Sequence, residues 1–600
     1  MSRNAIIPAA GISFLAAVIY YLTSAPGVTY IDSGELAANC ATLGIAHPTG
    51  YPLYVCLGRL AVLISGLTAI RSCNLLSVLI AGAAAGVLCL LINLMIQGKS
   101  GLHFRIAAAA AALFASLTPV WWSQGVTNEV YGLTLLLNLL TLCFATLFIE
   151  RGNIRYLNAL FYFWGLSLGS HLSSIFLLPA VVYALWTGGA FSRGIKGRIF
   201  VPLLFGAIAL TTYLYLPIRS IHKPFLNWSN PATWEGFINH ISGWQYRVWM
   251  FNSLDHMAKG VAYFGKLIFG QIGAVGLLLA AIGATASFRK NRRIAIMAVL
   301  IVAADVLYSS NYEIIDIDSY YLLAFAALAM LIAYGIAATA GMVGRLFSGG
   351  SAKYAHLCVA LLIGSAVCIW GFVSSVRNQD RSDDRLAESG VNNILDSCPE
   401  QAIVFIENWD IYSPWLYYRY IENRRPDVVL IDKELLRRSW YIDFLFRYHP
   451  EIMAESRKPA DRFLQLLKPF ESGGRYDGTA LTNSMVALIR AVIDNNKAKR
   501  PVYTNFIGGQ FFEFQKVYLP AGSLFLLADS VHYVPSDTSI IDISAWEEGG
   551  PLVDKRAKIV LGQIQRVVNS RVIYCRSLDR QAESDAWRRL AERIRAILAK

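Results

Sequence analysis

Over the first 376 positions, apolar residues gather in long runs. They do not alternate as in a half-buried strand. Runs long enough to span a bilayer, or nearly so, fall at about 5–23, 73–97, 105–120, 130–149, 156–170, 172–187, 199–217, 258–288, 294–309, 320–341 and 355–375. The pattern predicts about eleven transmembrane helices. The first run is expected to be an uncleaved helix and not a signal peptide, because it leads directly into an acidic loop. The stretch Tyr51–Leu67 carries Arg59, two glycines and a proline, and is expected to lie against the membrane surface or dip into it. Beyond residue 376 the pattern changes. Residues 402–406 and 427–431 read as buried strands and 502–504 as another. Aromatic-rich helical segments lie around 410–423 and 433–448, and 582–599 reads as an amphipathic closing helix. The expected architecture is a polytopic α-helical membrane part, residues 1–376, followed by an extracytoplasmic α/β domain with several parallel strands, residues 377–600.

Charge sharpens this division. The formal net charge of +13 would suggest nucleic acid if it were spread over a soluble surface. Instead residues 1–376 hold 21 of the 53 Lys and Arg and only 10 of the 40 Asp and Glu. The remainder is nearly balanced, so the excess reflects membrane topology, and no nucleic-acid partner is expected. With the N-terminus inside, 14 of those 21 basic residues fall in inside loops: Arg3; Lys99 and Arg105; Arg151 and Arg155; Arg193, Lys196 and Arg198; Arg289, Lys290, Arg292 and Arg293; Arg345 and Lys353. Eight of the ten acids then fall outside, as does the C-terminal domain. The expected setting is a bacterial inner membrane or the endoplasmic reticulum, with a cytoplasmic N-terminus. Nine cysteines show no metal-site spacing; Cys398 and Cys575 can pair if their domain faces an oxidising compartment.

The outside loops carry the chemistry. The first reads Tyr30-Ile-Asp32-Ser-Gly-Glu35, then His47-Pro-Thr-Gly-Tyr51-Pro. Asp32 and Glu35 are three apart, which places both carboxylates on one helical face. Such a pair can accept a proton from a hydroxyl nucleophile or hold a divalent cation, Mg or Mn; otherwise it is a capping motif. His47 is a candidate second acid/base group, or else a hydrogen-bonded turn residue. In the second loop Glu129 opens an apolar span, where an ionisable group is costly unless functional or paired. Trp121 and Trp122 are expected as interface anchors. His171 sits between two short spans. In the fourth loop Arg219, Lys223 and Arg247 stand against the positive-inside pattern, and arginine suits bidentate phosphate binding; snorkelling to lipid phosphates is the alternative. The fifth loop holds Glu313, Asp316 and Asp318. Carboxylates plus arginines beside a bilayer suit a lipid-linked phosphate, with the phosphate as leaving group and a sugar transferred. No Walker loop, dinucleotide fingerprint, GxSxG or HExxH is present.

These motifs resemble a known membrane family. The likeness rests on Asp32-Ser-Gly-Glu35, Leu43-Gly-Ile-Ala-His47-Pro-Thr-Gly-Tyr51-Pro-Leu, Asn74-Leu-Leu-Ser77, Trp122 through Tyr131, Gly165 through His171, Leu216-Pro-Ile-Arg219 and Ser310 through Asp316. The family is the one long labelled "domain of unknown function 2723", whose animal relatives are protein O-mannosyltransferases. Thr49 departs from it, where many relatives have a second proline. The resemblance covers roughly residues 5–375. It implies a GT-C glycosyltransferase that uses a polyprenyl-phosphate sugar at the extracytoplasmic face, with an essential acidic residue in the first loop. That role carries over to Asp32, with Glu35 as its neighbour.

The resulting expectation is transfer of a sugar, mannose, from a polyprenyl-phosphate donor to a hydroxyl of protein Ser/Thr or of a glycan, with inversion. Asp32 would be general base. Glu35, Glu129, His47 and Asp316 would position acceptor or metal. Arg219, Arg247 and His171 would bind the donor phosphate. Asp410, Tyr412, Trp415 and Tyr417 would bind acceptor or pack the C-terminal domain on the membrane part. Transfer to lipid A or a cell-wall glycan is a sibling reading. A transporter or flippase predicts ionisable groups near the midplane, and a non-catalytic receptor predicts dispensable loop acids.

Overall fold

The structure is a computed structural model that describes residues 3–96, 101–191 and 199–600. Of the inside-loop cations named above, Lys99, Arg193, Lys196 and Arg198 lie outside the described residues. Helices occupy all eleven predicted positions, but they are unequal. Seven are long and apolar enough to cross a membrane, eight if the pair Leu102–Ser116 and Pro119–Val126, bent by 69°, is one span. Of the eleven expected stretches, several of them short, seven or eight therefore reach full spanning length. The remaining positions hold Ile154–Ser170, Leu172–Thr187 and Ala295–Ser309. The bend follows from Pro119, which has no N–H to continue the ladder and starts a new helix. Pro52–Ser65 is a separate 14-residue apolar helix where a surface-lying segment was expected.

Burial ranks the helices by position. Ile317–Gly344 and Tyr131–Arg151 are enclosed by the others, whereas Ala5–Leu22 and Ser351–Gln379 present most of their apolar surface outward. The loops sort onto two ends. At one end Asn291 Nδ2 donates to the Met95 carbonyl (3.1 Å) and the His103 and His356 rings lie 5.0 Å apart. At the other end the first, second, fourth and fifth loops meet the C-terminal region. Ile45 bridges Asn227, and Met250 bridges Tyr312. The cationic and the acidic loops therefore separate as the charge pattern divides them.

The last membrane helix, Gly349–Gln379, hands over to a C-terminal region built on five strands. These are β1 (Ile403–Ile406), β2 (Val429–Asp432), β3 (Val502–Thr504), β4 (Val517–Ala521) and β5 (Leu524–Ala528), in the order β2-β1-β3-β5-β4. β1 pairs parallel with β2 and β3, as expected. β5 runs antiparallel to β3 and β4, so the sheet is mixed. The hairpin turns on Gly522 at φ +58°, a backbone region glycine enters without steric cost, and its missing side chain leaves room for Ser397. The closing helix Gln581–Ala599 buries Trp587, Leu590, Ala591, Ile594 and Ile597 along one face, against Lys555–Ser577. Cys398 and Cys575 are both buried and unpaired.

One apolar core joins the two regions. Val28, Tyr30, Ile45, Leu216 and Trp228 of the membrane part pack with Trp415, Tyr417 and Trp440 of the C-terminal region. Asp410, Tyr412, Trp415 and Tyr417 are buried there, so their surroundings are those of the packing alternative.

Candidate active site

The first loop enters a short buried helix, Ser33–Thr42. Asp32 stands at its N-cap, yet its carboxylate makes no capping bond. Instead Asp32 Oδ1 accepts from the Trp409 indole N–H at 2.8 Å. That placement depends on Gly34. A Cβ there would lie 2.3 Å from the Ser413 carbonyl oxygen, so only glycine lets the helix Trp409–Tyr420 cross this close. Ile31, just before Asp32, is held at φ +65°, a costly conformation for a β-branched residue. Its N–H donates to Asp410 Oδ1 at 2.9 Å, which pins the strained residue.

Three of the expected residues form one cluster. Glu35 is fully buried; its Oε1 accepts from Asn39 Nδ2 (2.7 Å) and the His47 N–H (3.0 Å), and its Oε2 lies 2.8 Å from His47 Nδ1. His47 Nε2 lies 3.6 Å from Asp32 Oδ2 and 3.0 Å from the Tyr51 hydroxyl. Burial alone would lower the His47 pKa. The carboxylates of Asp32 and Glu35 outweigh it and raise the imidazole to about 9, so an imidazolium sits between two anions at neutral pH. One ligand atom each from Asp32, Glu35 and His47 lies within 4.8 Å of the others, a spacing a cation could use. The donors are spent on one another, however. In the structure His47 Nδ1 faces Glu35, so these groups form a hydrogen-bonded relay, and a cation held there would displace the imidazole proton.

Glu129 and Asp316 lie near enough to this cluster to feel the charges of Asp32 and His47. Burial, together with Asp32 and Asp316, pushes the Glu129 carboxyl well above its usual range, and its Oε2 is buried without a hydrogen-bond partner. Burial likewise raises Asp316, and Arg556 opposes it. The other fifth-loop acids point elsewhere: Asp318 accepts from Tyr263 at 2.6 Å, and Glu313 approaches His256 at 3.7 Å.

The cationic candidates separate. Arg219 Nε donates to the Leu43 carbonyl at 2.9 Å, which uses the guanidinium to cap the helix Ser33–Thr42. His171 is enclosed by Tyr51, Tyr131 and Tyr320, with ring centroids 5.0 to 5.8 Å away. Burial and then the His47 charge hold its pKa down at about 3, so it is a neutral ring. Arg247 is exposed on the turn Trp244–Trp249, beside Tyr246, whose phenol senses Asp32 and Glu35. Trp121 and Trp122 are interior residues and not interface anchors; the Trp122 indole donates to Thr23 Oγ1 at 3.0 Å.

One charged residue at the site was not signalled by the sequence. Arg556, in the first turn of Lys555–Ser577, donates to both Asp410 oxygens (3.2 Å each) and to Asp316 Oδ1 (3.3 Å). Asp554 positions it by capping that helix. Nothing sets Arg556 apart among the 32 basic residues of the tail, and only the Asp-Lys-Arg helix start was readable.

Residues 32–191 match the family model described as "Protein O-mannosyl-transferase TMEM260 N-terminal domain". Over these residues the chain is similar to that family. It is 26% identical to the protein O-mannosyl-transferase TMEM260 of Mus musculus over 476 residues, 74% of this chain and 65% of that protein. It is 22% identical to the Dictyostelium discoideum protein of the same description, over 71% of this chain and 57% of that one. The chain thus spans a little under two thirds of the length of the relatives it matches. Among solved structures, ArnT from Cupriavidus metallidurans bound to undecaprenyl phosphate aligns at TM-score 0.48 and 13% identity, covering 73% of this chain and 92% of that one. The archaeal oligosaccharyltransferase AglB from Archaeoglobus fulgidus, in complex with an inhibitory peptide and a dolichol-phosphate, aligns at 0.45 and 12%, covering 80% and 72%.

Proposed function

We propose that this TMEM260-like chain is an integral-membrane glycosyltransferase that moves mannose from a polyprenyl-phosphate donor to a Ser or Thr hydroxyl of a protein, inverting the anomeric centre. Residues 1–376 would form the catalytic membrane part and 377–600 an extracytoplasmic domain, with the acidic end outside and the N-terminus cytoplasmic. The observation that carries this reading is the clustering of Asp32, Glu35 and His47, with Glu129 and Asp316 close enough to interact with them, at one end of the helices. A transporter would place such groups near mid-membrane.

In this reading the acceptor hydroxyl gives its proton to Asp32 while its oxygen attacks the anomeric carbon. The carbon–oxygen bond to phosphate breaks on the opposite side, and the phosphate departs already ionised. Trp409 fixes one Asp32 oxygen and leaves the other toward His47. The His47 imidazolium favours the ionised base, and Glu35 fixes its ring. Glu129, whose burial favours the protonated form, and Asp316 border the space for acceptor and sugar. Arg247 is the candidate for the donor phosphate, since Arg219 and the neutral His171 are committed elsewhere.

The test is transfer of labelled mannose from polyprenyl-phosphate-mannose to protein and glycan acceptors by wild type and Asp32→Asn. Label on protein with wild type alone supports the reading. Equal transfer by both removes Asp32 from its role. Label on glycan alone redirects the acceptor.

A further inference from the structure

Beyond the carboxylate cluster, the protein holds a second built surface. A cavity of about 360 Å³ lies between the fourth loop and the C-terminal region, lined by Lys223, Phe225, Asp443, Arg447, Tyr448 and Arg457 among others. A second, of about 210 Å³, is lined by Pro48, Thr233, Asn239, Gln245, Ser439 and Ser472 among others. Asn230 and Trp440 line both, so the two are one cleft. Three non-glycine residues at positive φ, Lys223, Ser229 and Asn230, give its loop wall a fixed shape.

Two features give the cleft a direction and a charge preference. Its inner end reaches Pro48, next to His47. Along its wall the Trp440 ring lies 4.5 Å from Trp228, which in turn lies 6.0 Å from the His47 ring and 5.8 Å from Trp409, the donor to Asp32. The outer part is cationic. Arg447 donates to the Lys223 carbonyl at 3.3 Å, and the Arg457 guanidinium lies 4.3 Å over Phe446. Among the described residues no carboxylate pairs with Lys223, Arg447 or Arg457 in a close ion pair. Asp443 senses all three, and it sets one negative charge against three positive ones.

We infer that this cleft is the acceptor-binding site, and that its occupant is an extended polypeptide whose acidic side chains lie against Lys223, Arg447 and Arg457 while a hydroxyl is delivered past Pro48 to Asp32. The inference rests on the proposed transferase reading and names its substrate. Asn230 and Gln245, whose side-chain oxygens accept from Ser220 and Trp228, keep their amide N–H groups for the C=O groups of an extended chain, and the Ser439 hydroxyl can serve either group. Trp440 and Phe225 supply apolar contact between them. A lipid chain would require a continuous apolar path, which this lining interrupts.

The test uses the full-length protein in detergent. Short fluorescent peptides with one Thr, flanked by Asp, Asn or Lys, are titrated by anisotropy without donor, and the same peptides serve as acceptors for labelled mannose. The acidic peptide is expected to bind wild type about tenfold or more tighter than the basic one, from charge-assisted contacts. The double variant Arg447→Glu/Arg457→Glu should reverse that order, a gain for the basic peptide that misfolding cannot produce. Absence of peptide binding, equal affinity for all three peptides, or binding only of a sulfated oligosaccharide probe would overturn the inference. Charge-dependent binding without transfer would instead sink the transferase reading, and transfer without charge preference would sink the cleft alone.

Discussion

Arg556→Ala isolates what the C-terminal region does for the first loop. Arg556 is the only cation that bonds Asp410 among the described residues, and Asp410 in turn holds the Ile31 N–H beside Asp32. The arginine side chain is 15% exposed and Asp410 is 6% exposed, so this arm is a buried pair; Asp316 at 27% is partly solvated. Removing one partner of a buried pair costs about 3–5 kcal/mol. Contacts of 3.2 Å point to the lower end of that range, and a partly exposed arm adds at most about 1 kcal/mol. Ile31 at φ +65° stores about 1–3 kcal/mol that nothing then offsets, so the loop relaxes away from its working conformation. A loss of about 1.4–2.8 kcal/mol in the competent loop population lowers kcat about 10- to 100-fold. Donor and acceptor KM should change little. Arg556→Lys, which keeps the charge but not the fork, should fall between. The assay is initial-rate transfer of labelled mannose by detergent-purified variants, at a temperature well below the lowest of their melting temperatures. Wild-type kcat in Arg556→Ala, or a loss confined to KM, would refute the reasoning.

Gly34→Ala should cost stability and transfer together, by about 1–3 kcal/mol or more, because its Cβ would meet the Ser413 backbone at 2.3 Å; an unchanged melting temperature would show that the two helices can separate at no cost. His47 has a folded pKa of about 9, above its ordinary 6.5, so the stability it contributes is fully present below about 6.5 and lost as pH rises through about 9. Melting temperature and rate should therefore fall on that alkaline limb in wild type, and the limb should flatten in His47→Gln. Arg219→Gln should lower stability with donor KM unchanged, since its guanidinium caps a helix, whereas Arg247→Gln should raise donor KM several-fold; the opposite assignment would show in the same two measurements.

How much of this was legible follows from where each signal lives. Apolar run length fixed the positions of the membrane helices, because hydrocarbon thickness demands about 20 apolar residues whatever the tertiary contacts. It failed on their lengths where Pro119 or the 17-residue limit of Ile154–Ser170 broke a span. The first-loop motif was readable because Asp32, Glu35 and His47 are close in sequence. Their order in space was not readable: His47 turned between the two acids, Trp409 came from 377 residues away, and Arg556 from farther still. Arg219 looked like a phosphate ligand because charge position alone cannot distinguish a solvent-facing guanidinium from one folded onto helix carbonyls. The antiparallel β4–β5 hairpin turned on Gly522-Ser523, a two-residue connection whose strands are too short to announce themselves by alternation. Trp121 and Trp122 were misplaced because an interface anchor and an interior tryptophan look alike until the bend at Pro119 is known.

The central claim is that Asp32 takes the acceptor proton. Its most direct test is single-turnover transfer of labelled mannose from polyprenyl-phosphate-mannose by wild type and Asp32→Asn, with donor binding measured on the same preparations. The account predicts a loss of at least about 100-fold in the transfer step with donor affinity unchanged. Transfer by Asp32→Asn at the wild-type rate, with donor bound equally well, would contradict it.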